Sequence, residues 1–157
     1  MAAERDELLE ELFGLIISLE EEGQLDTRFM DNYTMKLAHD STFFLELVVT
    51  FCEEVQDALR DLGSALEDRL VCYGEVYDHY KKLKGIIESF GASAMGRNLE
   101  ELLHSILDTS RRECILAHLR LHRGLENLRP HLRRITRLER RIIYLERTLA
   151  GDFNDDE

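Results

Sequence analysis

Apolar residues recur every three to four positions along almost the whole chain, the spacing of amphipathic helices. In the first segment Leu8, Leu9, Leu12, Phe13, Ile16 and Leu19 share one face, and Glu7, Glu10, Glu11 and Glu20 lie off it. Gly23 is placed to end that helix. A short second helix is predicted after Asp26, with Phe29, Met30, Tyr33 and Leu37 inward. His39–Ser41 supplies a break and a cap. A long third helix carries Phe43, Phe44, Leu47, Val48, Phe51, Val55, Leu59, Leu62 and Leu66.

The pattern resets around Asp68–Tyr73. A fourth helix then runs to Gly91 or slightly beyond. A fifth is predicted after Gly96, with Leu99, Leu102, Leu103 and Ile106 as its stripe. The sixth starts near Ser110 with Leu116, Leu119, Leu125 and Leu128 inward. Pro130 should kink or split it, because proline lacks the amide donor and crowds the preceding turn. Leu132, Ile135, Ile142, Leu145 and Leu149 continue the seam beyond it. No strand pattern competes and no internal repeat is visible. The expectation is an all-α single domain over 1–150, with four long antiparallel helices and shorter N-terminal ones, about six in all. An acidic tail, 151–157, is expected to fray.

Composition fits this picture and narrows it. The chain has 157 residues, 44% hydrophobic and 33% charged, with a single proline. That is a globular balance with few signalled turns, hence long helices. The formal net charge of −12 is unevenly spread. Residues 1–110 hold 9 Lys and Arg against 24 Asp and Glu, whereas 111–147 hold 11 Arg against 4 Glu. The acidic body disfavours nucleic-acid binding by the domain as a whole. Cys52, Cys72 and Cys114 show no metal or redox spacing, which fits a reducing compartment. The acidic N-terminus is unlike a signal or transit peptide, and no apolar run approaches a membrane span.

The stretch His79–Ala92, HYKKLKGIIESFGA, stands out. At ~100° per residue Lys81, Lys84, Gly85 and Glu88 share a face, with Gly74, Tyr77 and Asp78 extending it. Val76, His79, Leu83, Ile86, Ile87 and Phe90 fall opposite, which makes His79 a core histidine. Mid-helix glycine costs about 1 kcal/mol relative to alanine. Gly85 on the exposed side is either a point of close approach by a partner or a chance glycine on a solvated face.

Here the sequence resembles the plant histidine-containing phosphotransfer (HPt) proteins, which pass phosphoryl groups between sensor histidine kinases and response regulators. Their signature reads His-Gln-Leu-Lys-Gly, a serine-rich run, then Gly-Ala. Leu83, Lys84, Gly85, Ser89, Gly91 and Ala92 match it in place. Leu25–Phe29 and Phe44–Glu54 look like the family's second and third helices, and the similarity covers roughly residues 1–125. The resemblance implies an HPt-like antiparallel four-helix bundle.

The departure is at Lys81, where the acceptor histidine of the family belongs. Imidazole has a reference pKa of about 6.5 and keeps a large nucleophilic fraction at neutral pH. A lysine amine, near about 10.4, keeps almost none. Lys82 and Glu88 replace the family's glutamine and serine. The resemblance therefore implies a pseudo-HPt protein with no catalytic residue and no cofactor. It would bind receiver domains of kinases and response regulators through Tyr77, Asp78, Lys81, Lys82, Lys84, Gly85 and Glu88. It would dampen cytokinin signalling as a monomer in cytoplasm and nucleus, away from membranes and nucleic acid. An active relay through another residue, His79 being the near candidate, is one alternative. A helical adaptor acting through the Arg-rich C-terminal helix is the other.

Arg129–Arg141, RPHLRRITRLERR, lacks the interleaved aromatics of a nucleic-acid patch. It reads as a solvated helix face with Glu126, Glu139 and Glu146 paired to nearby arginines. The seam Leu132–Leu149 packs in the core by default, although it could serve a helical partner. His118 and His122, spaced i, i+4, form half a metal site without a convincing third ligand, so no metal is expected.

Overall fold

A computed structural model describes the backbone of residues 1–155 and the side chains through Gly151. Six α-helices follow in order: α1 (Ala2–Glu21), α2 (Thr27–Thr34), α3 (Phe43–Glu67), α4 (Tyr73–Phe90), α5 (Ser93–Leu107) and α6 (Arg111–Asp155). A 3₁₀ turn, Met35–Ala38, continues α2. No strand occurs among the described residues. Helices α3 to α6 form the bundle: α3 packs on α4 and α6, and α5 packs on the same two. Helix α1 lies along α6, and α2 rests on α4.

The architecture is the expected all-α bundle, and the differences are local. Helix α1 has 20 residues and is not short. Leu37 is 85% exposed rather than inward. It falls in the 3₁₀ turn, whose tighter winding rotates it off the α2 stripe. Helix α5 starts at Ser93, so Gly96 lies inside its first turn and does not precede it. In α6 the buried stripe is Cys114, Ala117, Leu121, Leu125, Leu128, Leu132 and Ile135. Leu119 is exposed, two positions from both Ala117 and Leu121 of that seam.

Pro130 does not split α6, which runs 45 residues without a break. The proline is exposed, so the carbonyl it leaves without a donor can be met by water, while Leu125, Leu128, Leu132 and Ile135 hold both sides in the core. The helix also runs through Asp155, across most of the tail expected at 151–157. Asp156 and Glu157 lie outside the described residues.

The uneven charge is resolved by packing. Acidic α1 buries Leu12, Ile16 and Leu19 and places Glu4 2.8 Å from Arg141 and Glu11 3.5 Å from Arg134. The hydrogen bond from Arg141 holds the Glu4 carboxyl below its ordinary range. Glu126 pairs with Arg129 at 3.3 Å as the sequence suggests. Glu139 does not belong to the solvated face. It is fully buried and pairs with Lys36, 2.6 Å away, rather than with an arginine. The Lys36 ammonium also donates to the Tyr33 hydroxyl at 3.0 Å. Burial and the adjacent Glu139 push the Tyr33 phenol far above its usual range. This pair ties the end of α2 to the middle of α6.

Breaking one side of a buried pair costs about 3–5 kcal/mol, because the remaining charge is uncompensated. Lys36→Met should therefore lower stability by about that amount in a denaturant melt. Lys36→Met combined with Glu139→Leu should recover most of it. Equal loss in single and double variants would contradict the assignment.

His118 is half-buried and donates from Nε2 to the Leu59 carbonyl at 2.8 Å. Burial depresses its pKa from 6.5, with His122 adding to the effect, while the Leu59 bond and Glu67 oppose it. The unfolded chain thus binds the proton more readily. Stability should be full above about pH 6.5 and fall as pH drops through the lower folded value. His118→Gln should flatten the slope of melting temperature against pH in that window; an unchanged slope would refute the reading.

Candidate functional site

Helix α4 owes its orientation to a stripe spaced four, three, four, three: Val76, Tyr80, Leu83, Ile87 and Phe90, all buried. This corrects the sequence reading at two residues. Tyr80, not His79, occupies the core position. His79 sits about 60° from the centre of the stripe at ~100° per residue. It is half-buried, its side chain 22% exposed, with Nε2 4.0 Å from Glu75 Oε1. The polar hydroxyl of Tyr80 lowers its apparent hydropathy, yet its ring fills the core site.

The opposite face carries Asp78, Lys81, Gly85 and Glu88, with Tyr77, Lys82 and Lys84 at its edges, all exposed. The structure brings together all seven residues picked from the sequence on one helix surface. The Lys81 ammonium lies 3.4 Å from Asp78 Oδ1 and 5.0 Å from the centre of the Tyr77 ring. An exposed pair of this kind is worth about 0–1 kcal/mol, so Lys81 is steadied without being sequestered. A Cβ built at Gly85 would meet nothing within 4 Å. Nothing inside the chain requires glycine there.

Beside Gly85 lies a cleft of about 300 Å³ between α3 and α4. Leu47, Thr50 and Glu54 form its α3 wall, Gly85, Ile86 and Ser89 its α4 wall, and Asn32 of α2 closes one end. Sequence spacing gave no sign of this cleft, because its walls come from three separate helices.

The end of α4 is fixed by α2. Arg28 Nη1 donates to the Glu88 carbonyl at 2.9 Å, and Asn32 Nδ2 to the Ser89 carbonyl at 2.9 Å. These are carbonyls that a helix C-terminus leaves without intrahelical donors. Gly91 follows in the left-handed region, φ 92°. Its carbonyl accepts from the Asp26 amide at 2.9 Å. A Cβ there would stand 2.7 Å from both Asp26 Oδ1 and the Phe29 nitrogen. The two glycines of the motif thus differ: Gly91 is demanded by the fold, and Gly85 is not.

Chemically the face presents three lysines, one of them steadied over an aromatic ring, and no paired nucleophile and base. His79 is off this surface. Among the described residues no group of three His, Cys, Asp or Glu could hold a metal ion. No helix among the described residues is long and apolar enough to cross a membrane.

No family model matches the chain. Histidine-containing phosphotransfer protein 2 of rice, Oryza sativa subsp. japonica, is 24% identical over 136 residues, 86% of this chain and 91% of the rice protein. The crystal structure of a maize histidine-containing phosphotransfer protein superposes with a TM-score of 0.78 at 24% identity, covering 86% of this chain and 99% of that one. That of a Medicago truncatula histidine-containing phosphotransfer protein gives 0.79 at 19% identity, covering 89% and 95%. The chain is similar in sequence to plant HPt proteins and has their fold.

The glycine contrast is directly measurable. Gly91→Ala should destabilise by more than the ~1 kcal/mol of a strained left-handed residue, since its Cβ also meets backbone. Gly85→Ala should stabilise by about 0.5–1 kcal/mol. Thermal melts of the two variants shifting in the same direction would refute the distinction.

Proposed function

We propose that this chain is a phosphorelay protein of the HPt type that binds receiver domains through the exposed face of α4 and does not relay phosphate. The observation that carries the reading is Lys81, exposed on α4 at the position where the Leu83-Lys84-Gly85 register sets the family's acceptor histidine. Similarity to the rice, maize and Medicago proteins supports the phosphorelay context.

A receiver domain presents carboxylates around its phospho-accepting aspartate. Lys81 reaches into that acidic pocket in place of an imidazole, and Lys84 adds a second positive charge beside it. Gly85, with open space where a side chain would stand, lets the partner approach the helix backbone. The attraction is strengthened where the interface excludes water. The protonated amine offers no lone pair for phosphoryl transfer, so the complex forms without the reaction. In this reading the protein is a monomeric negative regulator of cytokinin signalling, acting in cytoplasm and nucleus on receiver domains rather than on nucleic acid or membranes.

His79 is poorly placed for an active relay, being half-buried and displaced from the α4 face. The deciding experiment is transfer from a radiolabelled phospho-receiver. The expected result is a complex with no label on this chain. Label that appears and then disappears in His79→Gln would overturn the proposal. Lys81→His should create a labelled species. If it does not, Lys82 or Glu88 has also disabled the site.

A further inference from the structure

A second surface, separate from the α4 face, combines an apolar floor with a row of arginines. Helices α3 and α6 run antiparallel, and the groove between them stays open to solvent. One cleft of about 440 Å³ is floored by Val48, Val49, Cys52 and Leu132. An adjoining cleft of about 200 Å³ shares Arg140 and adds Ile143 and Tyr144. Val49 and Tyr144 are 47% and 61% exposed. The α6 wall carries Arg129, Arg133, Arg137, Arg140 and Arg147. From first to last they span ~27 Å at ~1.5 Å per residue.

Arg129 is held by Gln56, and Arg147 donates to Ser41. Among the described residues, Arg133, Arg137 and Arg140 have no carboxylate within 4 Å. The neighbouring arginines on α6 show what such a row accepts. Arg134 and Arg141, seven residues apart, take Glu11 and Glu4 of α1, also seven apart, while α1 buries its leucine stripe beside them. Arg133 and Arg140 repeat that separation on the adjacent face, with Arg137 between them. That face has an apolar floor and, among the described residues, no helix seated on it.

We propose that the α3–α6 groove binds an acidic amphipathic helix of a partner protein, with carboxylates at i, i+4 and i+7 meeting Arg133, Arg137 and Arg140. Its apolar stripe covers Val49 and Tyr144. Glu53, on the α3 wall, fixes the orientation by repelling the acidic edge and favouring a neutral or basic edge on its own side. A row of guanidinium groups this long suits an extended set of charges better than a compact anion, which would engage only one or two of them.

The test uses the full chain and three labelled probes in fluorescence anisotropy. One is a synthetic amphipathic helix of about 18 residues, the groove length at ~1.5 Å per residue, with glutamates at i, i+4 and i+7. The second replaces those glutamates with lysines. The third is a single-stranded RNA. The glutamate probe should bind, weaken as salt rises, and lose at least ~10-fold affinity in R133E/R137E. Those side chains are exposed, so circular dichroism and the melting temperature should not change. K82E, on the α4 face, should bind the glutamate probe as before. Single R137E should fall between wild type and the double variant, and R133E/R137E should gain preference for the lysine probe. Equal binding of the two peptides, indifference to R133E/R137E, or tighter arginine-dependent binding of RNA would overturn the proposal.

Discussion

The junction at Gly91 sets the position of the exposed α4 face. A left-handed residue ends α4, and the start of α2 packs so closely against it that a single methyl group would collide with Asp26 and Phe29. From that contact Arg28 and Asn32 reach the final carbonyls of α4, and Phe29 stacks edge-on against Phe90. The end of α4 is thereby fixed by three side chains of α2, and the helix can hold an exposed glycine without losing its place. Rigidity comes from the geometry of one turn, and permissiveness is left to Gly85, where nothing in the chain needs it.

Charge organises the opposite side of the molecule. Helix α6 carries most of the arginines and spends them differently along its length. Two pair with acidic α1 across an apolar seam, and one joins Glu101 of α5 at 2.9 Å. The buried Glu139 turns inward to Lys36 and draws the end of α2 onto the same helix. The acidic helices and the basic α6 are thereby packed against one another. Arg133, Arg137 and Arg140, which line the groove along α3, have no carboxylate within 4 Å among the described residues.

Much of this was legible in the sequence, for identifiable reasons. Gly23 and Gly91 mark helix ends because both take positive φ. The exposed face of α4 followed from its period, since Lys81, Gly85 and Glu88 recur at three and four. Errors arose where hydropathy misranks a side chain. Hydropathy alone puts His79 in the place that Tyr80 fills, and Glu139 in a solvent position that its distant partner Lys36 overrides. Leu119 looked inward because Cys114, Ala117 and Leu121 define the seam less conspicuously than leucines alone. The two grooves were invisible, as each is shaped by residues far apart in sequence. Lys81 became informative only through the motif register, for nothing in its own periodicity marks it.

The account stands on α4 being the surface that meets a receiver domain. Titration of an unlabelled receiver into the ¹⁵N-labelled chain, followed by amide shifts, tests this most directly. The account predicts perturbations centred on Lys81, Lys84, Gly85 and Glu88 and extending to the α3 wall of the neighbouring cleft, with α6 quiet. Perturbations centred on Arg133–Arg140, with α4 unchanged, would contradict it.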